Sequence, residues 1–149
     1  KTGLEDIQVE ISQNPKERGR TELDIATIRL TEVRDLISGK EESQRLLTTT
    51  MDAFTNLARS GTRSLLEAFE KSKDRDDILT LRAFVDNALV TLHQLAAQLE
   101  VSSLRGPLEN AIDTLIDGSG RAYQACPDCT PTPSSNGMPV KDSDQPSVD

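Results

Sequence analysis

Few side chains in this sequence could carry chemistry, and one pair stands apart: Cys126 and Cys129 in the string Cys126-Pro127-Asp128-Cys129. Two thiols at this spacing serve several purposes. A thioredoxin-like redox centre sits at a strand-to-helix junction, where the helix N-terminus lowers the thiol pKa. Here the pair follows a helical pattern and opens a proline-rich stretch. A zinc site needs four ligands, so His93 and a carboxylate, or a second chain, would have to supply the rest. Haem attachment needs a histidine directly after the second cysteine, and Thr130 stands there. The plainest reading is a local disulfide in an oxidising compartment, with two free thiols as the reading for a reducing one.

His93 is the single histidine. It lies beside Leu92 and Leu95 and reads as an edge-of-core residue. A carboxylate-bridged metal site in a helical bundle uses Glu-x-x-His, but Val90 stands three residues before His93. Serines and threonines are plentiful, yet a nucleophile needs a base within reach, and one histidine offers little choice. No glycine-rich phosphate loop is present. Asp76-Asp77 and Glu41-Glu42 stand where helices begin and read as acids favoured by the positive end of the helix dipole. No catalytic, cofactor-binding or metal-ligating residue is therefore assigned, and the chain reads as non-enzymatic.

The elements that position these residues are helices. The apolar payload is Leu, Ile, Val and Ala. Aromatics make up only 3% and Trp is absent, which favours helices packed on helices over a β-sandwich. In the first segment, about 2–13, Leu4, Ile7 and Ile11 share one face. Asn14-Pro15 then supplies an N-cap and a first helical residue, with Glu17 at the capping-box position. Leu23, Ala26, Leu30, Val33 and Ile37 carry that second helix to Ser38, with Gly39 just past its end. Leu47, Met51, Phe54, Ala58, Gly61, Leu65 and Phe69 keep one register across about 41–72, which favours a single long helix. Gly61 costs it about 1 kcal/mol relative to Ala.

Asp74 caps a fourth helix, about 75–100, with Ile78, Leu81, Phe84 or Val85, Ala88, Leu92, Leu95 and Leu99 on its stripe. Gly106-Pro107 opens the last helix, with Pro107 at its first position. Leu108, Ala111, Ile112, Leu115 and Ala122 face inward. Short connections between long helices imply antiparallel neighbours. The expected fold is all-α: an antiparallel up-and-down bundle of four main helices plus a short N-terminal helix over residues 1–125. Residues 126–149 hold Pro127, Pro131, Pro133, Pro139 and Pro146, and set Lys141 against Asp128, Asp142, Asp144 and Asp149. They read as a disordered acidic tail.

The formal charge of −8 argues against nucleic acid as a partner and against a polybasic membrane patch. No run approaches the roughly 18 apolar residues that span a bilayer, and no signal peptide is visible. The chain begins at Lys1 without Met and reads as part of a longer or processed protein.

The order of features resembles a known family. Lys1-Thr2-Gly3-Leu4-Glu5 opens the amphipathic segment. Glu17-Arg18-Gly19-Arg20, Leu23-Asp24-Ile25-Ala26, Met51-Asp52-Ala53-Phe54, Arg59-Ser60-Gly61-Thr62-Arg63 and Leu81-Arg82-Ala83-Phe84-Val85 follow, before a final helix ending at a cysteine. Over about residues 1–129 this is similar to an all-helical domain of anti-sigma-factor-like membrane proteins of actinobacteria. The resemblance implies an extracytoplasmic domain in the cell envelope, anchored by a transmembrane helix before Lys1. Its expected role is sensory or protein-interacting, toward an envelope protein or ligand, in signal transduction. A passive spacer of the envelope and a cytosolic helical scaffold are the alternatives.

Overall fold

A computed structural model describes residues 14–39, 44–98 and 104–129. The expected N-terminal helix over 2–13 and the tail beyond Cys129 lie outside them. The described residues form four helices: α1 (Pro15–Gly39), α2 (Gln44–Ser72), α3 (Arg75–Gln98) and α4 (Arg105–Ala125). The all-α class holds.

The starts of α1 and α3 have a local cause. Asn14 Oδ1 accepts the Lys16 backbone N–H at 2.9 Å, so Asn14 caps α1 with Pro15 at its first position. Asp74 Oδ1 does the same for Asp76 at 3.0 Å, at the start of α3. α2 ends where Lys73 turns to φ 58° and its N–H bonds to the Phe69 carbonyl at 2.7 Å. A left-handed residue at this point closes a helix and is usually glycine. Here a lysine takes it, with its ammonium 5.4 Å from the Phe69 ring centroid.

α4 departs from expectation. It begins at Arg105, so Pro107 is its third residue, and Leu104 precedes it without a side-chain cap. Two causes combine. The first turn leaves its N–H groups unpaired, so proline is tolerated throughout it. Leu104 is also buried at 2% exposure, which draws the helix start toward the core.

The stripes meet in one core. Leu23, Ala26, Leu30 and Val33 of α1 pack with Leu47, Met51, Phe54, Ala58 and Leu65 of α2. On α3, Val85 takes the buried position and Phe84 lies half-buried beside it, with ring centroids 6.2 Å from Phe54. α2 is continuous through Gly61. That glycine is required by packing: a Cβ there would lie 2.6 Å from Leu23 Cδ2, and one at Gly19 would lie 2.8 Å from Leu65 Cγ. α1 and α2 therefore touch almost backbone to backbone. Gly19 faces Leu65 and Leu23 faces Gly61 across this approach, and Lys16 faces Asp74 of the α2–α3 turn. α4 lies against α3, with Gly118 near Val85, and also against α2, with Gly118 near Thr62. α1 meets α3 only lightly and does not touch α4.

Candidate functional site

One end of the fold gathers the N-terminus of α1, the α2–α3 turn and the C-terminus of α4. Cys126 follows α4 directly, and its N–H bonds to the Ala122 carbonyl at 2.9 Å. The Cys129 N–H then bonds back to the Cys126 carbonyl at 3.1 Å. This turn brings the sulfurs together, and Cys126 and Cys129 are joined in a disulfide. Cys126 is 8% exposed and Cys129 is fully buried. The packed fold thus runs on past residue 125 to Cys129, because the disulfide is itself part of the core. Arg75, the first residue of α3, spans the joint. One guanidinium nitrogen donates to the Asp128 carbonyl at 2.9 Å, and the other lies 3.8 Å from Cys126 Sγ.

Beside it sits a charged cluster that no local pattern announces. Lys16 Nζ meets Asp74 Oδ2 at 2.6 Å and Asp77 Oδ1 at 3.4 Å. The Asp74 hydrogen bond is the main cause raising the Lys16 pKa above its ordinary value, opposed by partial burial. The same bond holds the Asp74 carboxyl below the usual range, helped by the Asp76 N–H. Asp77 is more than a first-turn acid, because its side chain is fully buried. Ser72 Oγ donates to its Oδ2 at 3.4 Å. Its Oδ1 faces Lys16 with geometry too poor for a hydrogen bond. Lys16 offsets this buried charge and ties α1 to the α2–α3 turn.

A second polar group lies between α1 and α2. Glu22 is 5% exposed; it accepts from Ser60 at 2.6 Å and from Ser64 at 3.3 Å. Ser64 in turn accepts from Arg18 Nε at 3.1 Å. Both carboxylate oxygens are occupied, so the arrangement is a clamp around the Gly19–Gly61 approach.

Two concave surfaces among the described residues bear on function. Arg59, Arg63 and Arg121 surround a cleft of about 400 Å³ between α2 and α4, together with Asp113 and Asp117. Arg59 donates to Thr114, and Arg121 pairs with Asp117, so much of that charge is spent internally. The other is a groove of about 420 Å³ along the light contact between α1 and α3. Its floor is Leu23, Leu30, Phe84 and Ala88. Thr27, Thr31, Asn87 and Thr91 form its walls, with Arg20 and Arg34 toward its ends. A long apolar trough with polar walls can accept a helix, and this groove is the candidate site.

His93 is exposed and takes no part in any of these groups. It stands away from the core edge expected of it, because the α3 stripe turns Leu92 and Leu95 inward and His93 outward. Among the described residues, no three His, Cys, Asp or Glu side chains come together to hold a metal ion. No described helix is long and apolar enough to cross a membrane. No protein-family model, no curated protein and no solved structure matches this chain, so its reading rests on its own geometry.

Proposed function

We propose that this chain is an extracytoplasmic sensory or protein-interaction domain of a membrane-anchored, anti-sigma-factor-like regulator, built as an antiparallel up-and-down bundle. The observation that carries the reading is the buried Cys126–Cys129 disulfide. Such bonds persist in oxidising compartments and are rare in reducing ones. The bond fits a domain on the far side of a membrane anchor, as the resemblance implies. The groove between α1 and α3 supplies the surface for an envelope partner, and binding there would bias the state of the cytoplasmic half through differential affinity.

The test uses the full-length regulator in its own cell. Asn87 is exposed on the groove wall, so Asn87→Trp fills the groove without touching the core. The expected result is a lost or constitutive transcriptional response, with abundance unchanged. An unaltered response to envelope stress, matched by a bundle-swapped control, would favour a passive spacer.

A further inference from the structure

The side of α3 turned away from the groove carries a different surface. Thr80, Phe84, Asn87 and Thr91 line the groove. Arg82, Asp86, Leu89 and His93 recur at spacings of four and three on the opposite side of the helix, where α3 borders α4. α4 carries a stripe of the same spacing, Ile112, Ile116, Ser119 and Tyr123, away from the Thr114, Asp117 and Arg121 face that meets α2. Arg75 lies by Cys126 and Val85 by Gly118. Arg82 therefore stands level with the stretch between Gly118 and Cys126 that holds Ser119 and Tyr123, and the two stripes share one seam.

This seam is apolar and holds an unspent pair of charges. Ile116 and Tyr123 are each 57% exposed, and Leu79 and Leu89 are half-buried against the core. Arg82 Nη1 is covered from solvent yet finds no hydrogen-bond acceptor. A guanidinium so placed costs free energy until a carboxylate meets it. Asp86 stands one turn on and is exposed; among the described residues it forms no ion pair, with Arg82 or with any other group. The other charged groups on this side are engaged or distant. Arg75 donates to the Asp128 carbonyl, and His93, Arg105 and Glu109 lie toward the end away from the disulfide. A face with an unspent cation and an unspent anion one turn apart is complementary to itself.

We infer that this α3–α4 face is where two copies of the chain associate about a twofold axis, Arg82 of each pairing with Asp86 of the other. An axis that sets Arg82 opposite Asp86 also sets Leu79 opposite Leu89, because both pairs are centred on the level of Phe84. Ile116 and Tyr123 flank that contact from α4. Both copies use the same patch, so assembly closes at two. The groove lies on the other side of α3 and stays open, which keeps this inference separate from the function assigned to the groove. From Leu79 to Leu89 the face runs about 15 Å. A patch of that length is at the small end of interfaces, so the dissociation constant is on the order of 10 µM.

The test is sedimentation velocity of the whole oxidised chain from about 1 to about 500 µM, a range that brackets this value. A monomer–dimer equilibrium is expected. Asp86→Arg sets arginine against arginine across the axis, and Arg82→Asp sets aspartate against aspartate. Each alone should weaken the dimer about tenfold or more. Mixed in equal amounts, the two variants should form a heterodimer of wild-type affinity, because every contact then pairs arginine with aspartate. Ile116→Asp, at an exposed position, should also weaken the dimer about tenfold, with Tm by circular dichroism unchanged. Where Arg82→Asp fails to fold, Asp86→Arg and Ile116→Asp decide the matter. Monomer at every concentration would overturn the inference. So would a dimer untouched by Asp86→Arg and Ile116→Asp, or one abolished by Asn87→Trp, which would put the contact in the groove. Folded single variants whose mixture stays monomeric would overturn the reciprocal pairing.

Discussion

The close approach of α1 and α2 makes a sharp prediction about glycine. Gly61 and Gly120 both lie inside helices, where glycine costs about 1 kcal/mol relative to alanine. By helix propensity alone, Gly61→Ala and Gly120→Ala should both stabilise. The surroundings separate them. A Cβ at Gly120 meets nothing within 4 Å, whereas at Gly61 it meets Leu23 Cδ2 at 2.6 Å, Leu23 Cγ at 2.9 Å and the Gly19 carbonyl at 3.2 Å. Leu23 is 3% exposed and cannot swing clear without displacing its neighbours. The backbone carbonyl yields only if the helices part, which would stretch the Glu22 bonds to Ser60 and Ser64. Overpacking of this kind costs about 1–3 kcal/mol, against the gain of about 1 kcal/mol. Gly120→Ala is expected to raise Tm by a few degrees. Gly61→Ala is expected to lower it by up to about 8 °C, and Gly61→Val by more. Thermal unfolding followed by circular dichroism reads the sign directly. Stabilisation by Gly61→Ala comparable to that by Gly120→Ala would refute the packing argument.

Three further outcomes follow from other parts of the fold. Replacing both cysteines by alanine removes a short crosslink and should cost about 2 kcal/mol by loop-closure entropy, measured by urea unfolding of oxidised wild type against the double variant. Lys73→Gly relieves a left-handed residue, which costs a non-glycine side chain about 1 kcal/mol or more, but gives up the Phe69 contact and adds chain entropy; a net gain of up to about 0.5 kcal/mol is expected in the same assay. The Lys16–Asp74 pair sets a pH dependence of known sign. Asp74 has a lowered pKa, so its contribution is present above the ordinary carboxylate value and is lost as pH falls through the lower folded value. Lys16 has a raised pKa, so its contribution is present below the ordinary lysine value and is lost as pH rises through the higher folded one. Asp74→Asn should flatten the acid limb, and Lys16→Met should destabilise the fold at neutral pH by uncovering Asp77, with partial rescue by Asp77→Asn.

Much of the helical core was readable because it repeats locally. The α2 stripe from Leu47 to Phe69 keeps one register, and the caps at Asn14 and Asp74 sit beside the helices they start. The rest depends on residues far apart in the chain. Glu22 meets Ser60 and Ser64, and Lys16 meets Asp77, through contacts that no local spacing encodes. Gly61 looked like a cost because its partners, Leu23 and Gly19, belong to another helix. The sequence pattern puts Pro107 at the first position of α4, two positions early, because the burial of Leu104 is a tertiary fact. The groove was illegible for a related reason: its walls are two helices that the sequence separates by all of α2.

The most direct test of the extracytoplasmic, disulfide-capped reading is the thiol state of Cys126 and Cys129 in the full-length protein within its own cells. Cells would be quenched in acid, unfolded in denaturant and treated with a maleimide reagent of known mass, with and without prior reductant. The expected result is no labelling until reductant is added, and then two adducts on the pair. Immediate labelling of both cysteines in otherwise folded, functional protein would contradict the placement and leave a cytosolic helical scaffold as the better description.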